Sequence, residues 1–485
     1  MPHYASQYLN IYPSHRGSSI LFHGVTGAID DVDAAMGHWL KQAQRQQHPL
    51  DDRYATAIIN FLVQRGHVTT LSPEAEWESF TTYVSKLHAQ ICEERQTSGF
   101  LMLVASYYCN LACAYCYQNP MRAAEGQGAA AVMTREQVER IFTRVLPQLY
   151  PRVPRMSQVS VNLYGGEPFL ERNYPALKRV LAYTQDYQMS VSAISNATTL
   201  DHCLPFFGVR CGLVNSLQIS FDGSKLHHDQ SRITHYGAGT FDLIIANIHR
   251  LLDRGVQINL RTNTNKQTVD TLKLLWDDLE REEIIGHPNV SIYAAAIHNH
   301  FNQADPKPLF SPATLTRRME QMAIPMRTPL QRKMSRVAGI FDAESGVPLH
   351  RTNFCMQNMP NAFLLDHRGD IYSCYEEAGN RHLRVGTFDG AGTVAMADRY
   401  ATYQSRHVGK YEPCARCSVA LTCGGGCAAA ARGTNWTTGT IFTNHCDAHR
   451  ELVAMSIQRI FEQRVEGLRV ASPTEDEWAV HQPYL

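Results

Sequence analysis

Thirteen cysteines, ten of them gathered into two arrays, constrain this 485-residue chain more than any other feature. Cys109, Cys113 and Cys116 stand close together with the spacing CxxxCxxC, and Cys355, Cys374, Cys414, Cys417, Cys423, Cys427 and Cys446 fill the last third. The amino terminus, MPHYASQYLN, lacks the basic-then-apolar pattern of an export signal. Thiols kept reduced in a cytoplasm bind metals or do redox chemistry, so two metal-binding regions far apart in sequence are expected. With 44% hydrophobic and 19% charged residues the chain can bury several domain cores. Its 45 basic and 45 acidic side chains cancel, which leaves no field to hold nucleic acid or an anionic membrane. No apolar run approaches the roughly 18 residues of a membrane span.

Patterning divides the chain further. Tyr8 to Tyr12 and Ser19 to Phe22 alternate like a β-hairpin; Asp31 to Gln42, Arg53 to Gln64 and Trp77 to Ile91 have helical spacing, with a short strand at His67 to Leu71. Residues 1–95 thus read as a winged-helix-like unit. Its acidic Asp30, Asp31, Asp33, Asp51 and Asp52 argue against docking on phosphates and for binding a peptide. From Gly99 apolar strands alternate with helices, the mark of a parallel sheet or barrel. The strands expected are Phe100 to Ser106, Val159 to Tyr164, Met189 to Ser195, Ser216 to Phe221, Val256 to Thr262 and Val290 to Ile297. Helices are expected at Thr134 to Leu149, Tyr174 to Tyr187, Thr240 to Arg254 and Gln267 to Glu282. Six such units fall short of the eight of a closed barrel, so an open, partial (β/α)6 barrel over 96–325 is expected. A helical linker, 326–352, leads to a cysteine-rich domain, 353–465, with little periodicity before a last helix at Cys446 to Gln463, and a tail, 466–485.

The first triplet sits on the loop after the first barrel strand, at the C-terminal mouth where barrel chemistry occurs. Three thiolates can hold three irons of a 4Fe–4S cube and leave the fourth open to an exogenous ligand; zinc with one distant ligand is the alternative. CxxxCx-aromatic-C, with Tyr115 as the aromatic, resembles the radical S-adenosylmethionine (SAM) superfamily. Gly165-Gly166-Glu167-Pro168 after the second strand resembles that superfamily's GGEP segment, which approaches the amino group of SAM. The resemblance implies that Ser220 and Arg232 hold the SAM carboxylate and that Asn196 lies near the ribose, although Ser195-Asn196-Ala197 stands where the family has Thr-Asn-Gly. It also implies the chemistry: cleavage of SAM to a 5′-deoxyadenosyl radical that abstracts hydrogen from carbon.

The second array is similar to the seven-cysteine SPASM domain, which extends radical SAM enzymes and binds auxiliary 4Fe–4S clusters; a pair of zinc knuckles is the plainer alternative. By that resemblance Cys414, Cys417, Cys423 and Cys446 complete an outer cluster, while Cys355, Cys374 and Cys427 hold an inner one. The inner set is one ligand short, since some relatives place a further cysteine where this chain has Asn361. Cys92, Cys203 and Cys211 remain and read as small buried hydrophobes.

Within radical SAM/SPASM enzymes the amino-terminal unit, with Leu21-Phe-His-Gly-Val-Thr-Gly27, looks like the leader-recognition element of peptide maturases, or else a cap on the barrel. The expected function is a maturase that crosslinks a ribosomally made precursor peptide, by a thioether or carbon–carbon bond, with an electron donor such as flavodoxin or ferredoxin. A sulfatase-maturase-like enzyme, a peptide epimerase and a non-catalytic iron–sulfur peptide binder are the alternatives. The first of these is disfavoured because Tyr164, where sulfatase maturases have Gln, precedes GGEP. Glu376, Glu377 and His298 are candidate bases by position only.

Overall fold

The computed structural model describes residues 2–119, 131–297, 309–328, 350–433, 439–446 and 449–467. Its centre is six parallel strands paired in chain order: β6 (Gly99–Val104), β7 (Val159–Tyr164), β8 (Val191–Ser195), β9 (Val214–Phe221), β10 (Gln257–Thr264) and β11 (Val290–Ala296). Period-two alternation explains how the sheet faces its surroundings. In β10, Ile258, Leu260, Thr262 and Thr264 are buried, whereas Asn259, Arg261 and Asn263 are half-buried on the opposite, concave face. The apolar set packs under helices Tyr174–Asp186, Phe241–Leu252 and Leu272–Arg281 in one core, which contains Val161, Leu217, Ile248, Leu260 and Leu275. The expected helix at Thr134 to Leu149 runs Arg135–Arg140, opens into a π turn at Ile141–Val145 and closes at Leu146–Leu149. Thr134 starts it with a capping box to Gln137.

The barrel sheet does not stop at six strands. Among the described residues it has ten, because β12 (Ala362–Asp366) lies parallel to β6, with Leu364 opposite Met102. It is followed by antiparallel β13 (Asp370–Tyr372), β14 (Gly386–Phe388) and β15 (Val394–Met396). These strands lie where the sequence shows little periodicity. All five residues of β12, AFLLD, are buried, so the strand shows no alternation to read. The last helix spans His449–Gly467 and begins after Cys446 rather than at it.

The amino-terminal hairpin gains a third strand: β2 (Leu9–Pro13), β3 (Ser19–His23) and β4 (Ile29–Val32) form an antiparallel meander. The helix expected from Asp31 instead begins at Ala34. Asp31 lies in β4 opposite Ile20, and the Asp33 carboxylate caps α1 (Ala34–Gln46) by accepting from Met36 N–H. A pairing of β1 (Tyr4–Ala5) with β5 (Val68–Thr69), and helices α2 (Thr56–Gln64) and α3 (Pro73–Glu94), complete the unit. It shares a core with the cysteine-rich region, Tyr8, Phe22, Phe80 and Val84 packing with Val408, Tyr411, Leu421, Val453 and Ile457. At the seam the Tyr8 hydroxyl donates to Ala415 O (2.7 Å) and Asn10 Nδ2 to Ser418 O (3.1 Å). A Cβ on Gly24 would lie 1.8 Å from Ser418 O, so glycine is required there. Of the expected linker, only its ends are described, preceded by a helix at Pro312–Gln321; most of the tail and His298 lie outside the described residues.

Candidate active site

β6 delivers the chain to the mouth of the barrel, where Ala105–Tyr108 lead into the cysteine triplet. The GGEP turn after β7 clamps this lead-in through its backbone: Gly166 N–H donates to Ser106 O (3.1 Å) and Glu167 N–H to Tyr108 O (2.9 Å). The approach leaves no room for a side chain, since a Cβ on Gly166 would meet Tyr108 O at 2.0 Å. The triplet is tied on its other side by Ala112 N–H to Ile233 O (2.8 Å). Donors also reach the Cys109 sulfur, Leu111 N–H at 3.5 Å and Asn196 Nδ2 at 3.7 Å, an arrangement suited to a thiolate.

Glu167 is buried, and its carboxylate accepts from the Ser195 hydroxyl (2.7 Å), Asn196 N–H (2.7 Å) and Phe169 N–H (3.1 Å). Burial raises its pKa while those three donors oppose the rise. The carboxylate therefore fixes the end of β8 as well as facing the mouth. Pro168 contributes through its carbonyl, which accepts from Asn173 Nδ2 at 3.0 Å. Asn196 in turn donates to Asn110 Oδ1 (2.9 Å) and accepts from Thr198, so it bridges β8 to the thiol loop.

Tyr115, Arg232 and Asp222 form a second polar network at the mouth, with Arg232 and Asp222 buried and Tyr115 half-buried. Arg232 Nη1 donates to the Tyr115 hydroxyl (2.7 Å), and Tyr115 donates to Asp222 Oδ2 (2.5 Å). Asp222 also accepts from Ser231 (3.0 Å) and Asn263 (3.3 Å), and Asn263 accepts from Arg261 Nε (2.9 Å). Burial, opposed by the Arg232 charge and reinforced by Asp222, holds the Tyr115 phenol well above its ordinary range, so it stays a donor. Arg232 Nε is buried without a hydrogen-bond partner. That orphaned donor fits a ligand carboxylate at the mouth, which suits SAM. Ser220 lies on the concave face of β9, opposite Arg261 in β10.

The second array separates into two sets. Cys355, Cys374 and Cys427 act on one another electrostatically; burial, then Glu377, Glu376, Cys427 and Cys355, push Cys374 well above its ordinary range. Cys414 is pushed up to about 12 by burial, with Cys417 and Cys423 adding to it, and the Arg450 guanidinium faces Cys417, Cys446 and Cys414. Thiols that raise one another's pKa this way persist as thiolates only with a cation among them, so their chemistry fits iron clusters. Among the described residues no group of three or more His, Cys, Asp or Glu side chains is set to hold a single metal ion.

Glu377 is fully buried against Arg432 and accepts from the Tyr403 hydroxyl (2.8 Å), which makes it a structural anion rather than a base facing the lumen. Cys203 is buried as expected, but Cys92 is half-buried and Cys211 is exposed, because Cys211 falls in the turn before β9 rather than under a helix. Sequence reasoning missed a tyrosine group. Tyr117, next to Cys116, hydrogen-bonds Tyr164, and both ring edges meet Tyr375, next to Cys374, at centroid distances of 6.4 and 5.8 Å. The signal was an aromatic directly after a cysteine in both arrays.

Residues 103–275 match the family model described as the Radical SAM superfamily. Fe-coproporphyrin III synthase of Methanosarcina barkeri is 25% identical over 38% of this chain and 41% of its own length. Radical SAM cyclopropyl synthase TigE of Paramaledivibacter caminithermalis is 20% identical over 55% of this chain and 58% of its own. The chain thus spans about half the length of the curated relatives it matches. Native anSMEcpe with bound AdoMet superposes with a TM-score of 0.55 at 15% identity, over 76% of this chain and 99% of that one. Streptococcus suis SuiB bound to precursor peptide SuiA superposes with a TM-score of 0.50 at 14% identity, over 92% and 99%. At these identities the likeness to solved structures is one of fold. The chain carries a radical SAM domain, whose chemistry runs on a 4Fe–4S cluster and SAM.

Proposed function

We propose that this radical SAM enzyme binds a precursor peptide and joins a side-chain carbon to a neighbouring group of that peptide, as a thioether or a carbon–carbon cyclophane. The observation that carries the reading is the orphaned Arg232 Nε beside Tyr115 and the cysteine triplet, at the mouth of a polar lumen. In this reading Cys109, Cys113 and Cys116 ligate the catalytic cluster, and Gly165, Gly166 and Glu167 present the wall against which SAM lies. Arg232 and Ser220 hold its carboxylate, and Asn196 keeps the thiol loop in register with β8. The bound cluster and SAM supply a 5′-deoxyadenosyl radical that removes a hydrogen atom from the substrate; the chain's own task is to orient the two and exclude water.

Cys355, Cys374 and Cys427, and Cys414, Cys417, Cys423 and Cys446, are proposed as the ligands of two auxiliary clusters. A crosslink formed by removing two hydrogens needs an acceptor for its second electron, and Tyr375, the neighbour of Cys374 in the inner set, meets Tyr117, the neighbour of Cys116. The amino-terminal sheet is proposed to take the leader of the peptide. Its order, β2-β3-β4, leaves the outer side of β4 unpaired among the described residues, and an extended peptide adds to such an edge by main-chain hydrogen bonds. A reduced flavodoxin or ferredoxin is the proposed electron source, in the cytoplasm. No helix among the described residues is long and apolar enough to cross a membrane.

The test is the intact mass of the small peptide encoded beside this gene, after co-expression with and without the enzyme under low oxygen. Loss of two hydrogens per modification is the expected result. An unchanged mass with deuterium uptake from heavy water would assign epimerisation instead, and failure to release 5′-deoxyadenosine from SAM and dithionite would remove the enzymatic reading altogether.

A further inference from the structure

The concave face of the sheet encloses a cavity of about 480 Å3, well within the range of small-ligand sites. A barrel interior is ordinarily filled by bulky branched side chains. Here, beside Ile194 and Tyr293, the inward positions are mostly polar, among them Asn162, Gln218, Asn259 and Ser291, and Arg327 closes one side. The register places them by level. Gln218, Asn259 and Ser291 share one row across β9, β10 and β11, and Ser220, Arg261 and Tyr293 share the next row toward the mouth. Asp222 and Asn263, with Tyr115 and Arg232 behind them, come above that. Successive rows are about 7 Å apart at the rise of a strand, so the cavity lies directly beneath the place where a radical would form.

The charge of this space is one-sided. None of the described residues lining it is acidic. Arg327 makes no side-chain hydrogen bond or ion pair among the described residues, and Arg261 commits only Nε–H, to Asn263. Asn162 gives Nδ2 to the Ser192 hydroxyl (2.8 Å), while its Oδ1, buried at the wall, has no partner. Two guanidiniums with free N–H groups and one unused carbonyl call for a ligand that combines a carboxylate with an N–H donor. An apolar side chain would leave the buried Asn162 Oδ1 unsatisfied and use neither guanidinium, and a lysine or arginine would be repelled.

We infer that the cavity receives an aspartate or glutamate residue of the substrate peptide, its carboxylate held by Arg261 and Arg327 and a neighbouring amide N–H donated to Asn162 Oδ1. This rests on the peptide-substrate reading above. The other source of a carboxylate is SAM itself, one row higher at Arg232, and the test separates the two.

The probes are tripeptides Ala-X-Ala, acetylated and amidated so that X carries the only carboxylate, with X as Glu, Asp, Gln, Asn, Lys or Leu. They are mixed with the full-length, anaerobically reconstituted protein, and the retained fraction is measured by mass spectrometry after ultrafiltration, with and without saturating SAM. The acidic probes should be retained about five-fold or more over their amides, as charge-assisted hydrogen bonds require, and saturating SAM should leave the preference intact. Arg327→Glu, a change at an exposed side chain, should abolish the preference or turn it toward the lysine probe while leaving the melting temperature near that of the parent. Equal retention of Glu and Gln probes overturns the inference, and so does a preference that disappears with SAM, because the guanidiniums would then serve the cofactor. Release of 5′-deoxyadenosine by the unmodified enzyme is measured alongside. Its absence would count against the radical reading alone, since the retention assay decides the pocket independently.

Discussion

Tyr115 does two jobs with one hydroxyl: it receives a hydrogen bond from Arg232 and gives one to Asp222. Tyr115→Phe leaves Arg232 and Asp222 each short of a partner in a buried setting. It should lower stability by about 1–3 kcal/mol and weaken SAM binding about ten-fold, read by thermal melting and by calorimetry; a variant equal to the parent in both would remove Tyr115 from the site. His228, buried behind Arg232, is pushed from 6.5 down to about 3, by burial first and then by the Arg232 charge. A histidine whose folded pKa is depressed contributes stability that is complete above 6.5 and lost as pH falls toward 3, because only the unfolded chain takes the proton. His228→Gln should therefore flatten the fall in melting temperature between pH 6.5 and pH 4.5, removing a slope of at most about 1.4 kcal/mol per pH unit; an unaltered profile would show that the ring is protonated in the fold. Ala197, where the family pattern has glycine, sits at φ +59° with its carbonyl accepting from Asn247. The left-handed backbone explains the family's preference, and this chain meets the position with the smallest side chain that has a Cβ.

Among the elements, the GGEP turn shows what the sequence makes readable and what it does not. Two adjacent glycines announce a close backbone approach, but only the structure says that the partner is the lead-in to the cysteine triplet. Gly166→Ala should keep the fold by circular dichroism yet lose most SAM cleavage, since Tyr107 and Tyr108 must move to admit the methyl group; normal cleavage would mean that the loop yields without consequence. Strands β6 to β11 were legible because each alternates or runs apolar between turn residues. β12 was not, being buried on both faces and short. Nor was β4, whose Asp30 and Asp31 look like the start of a helix until the third strand is seen; Asp30 in fact receives Arg65 and His67 side chains. The cysteine triplet, GGEP, Tyr115, Asn196 and Arg232, chosen from motifs, lie together at the mouth, whereas Asp222, Arg261, Tyr117 and Tyr375 gain meaning only from the register and the fold that bring them there.

For the whole molecule, the amino-terminal unit and the cysteine-rich region share one core, so a change on one side of their seam should be felt on the other. Gly24→Val forces a side chain against Ser418 O, one residue from Cys417. With the three clusters proposed above, the expected result is about two-thirds of the parent's iron content, the outer cluster being lost, with SAM cleavage retained, measured by iron assay and 5′-deoxyadenosine release. The cysteines themselves divide the labour: Cys113→Ala should abolish SAM cleavage, while Cys417→Ala should leave some cleavage and lose the modified peptide. Equal survival of product in both would contradict that division. The pairing of β12 with β6 also has a meaning for synthesis on the ribosome. β6 is made early, but its second neighbour emerges about 260 residues later, roughly 10–50 s afterwards at the usual rate of translation. Throughout that interval the nascent barrel presents an open strand edge directly beside the triplet that must receive iron. Delivery of metal to the growing chain and protection of that edge therefore fall in the same window, and a chaperone or assembly factor that covers the edge would also govern when the triplet is loaded.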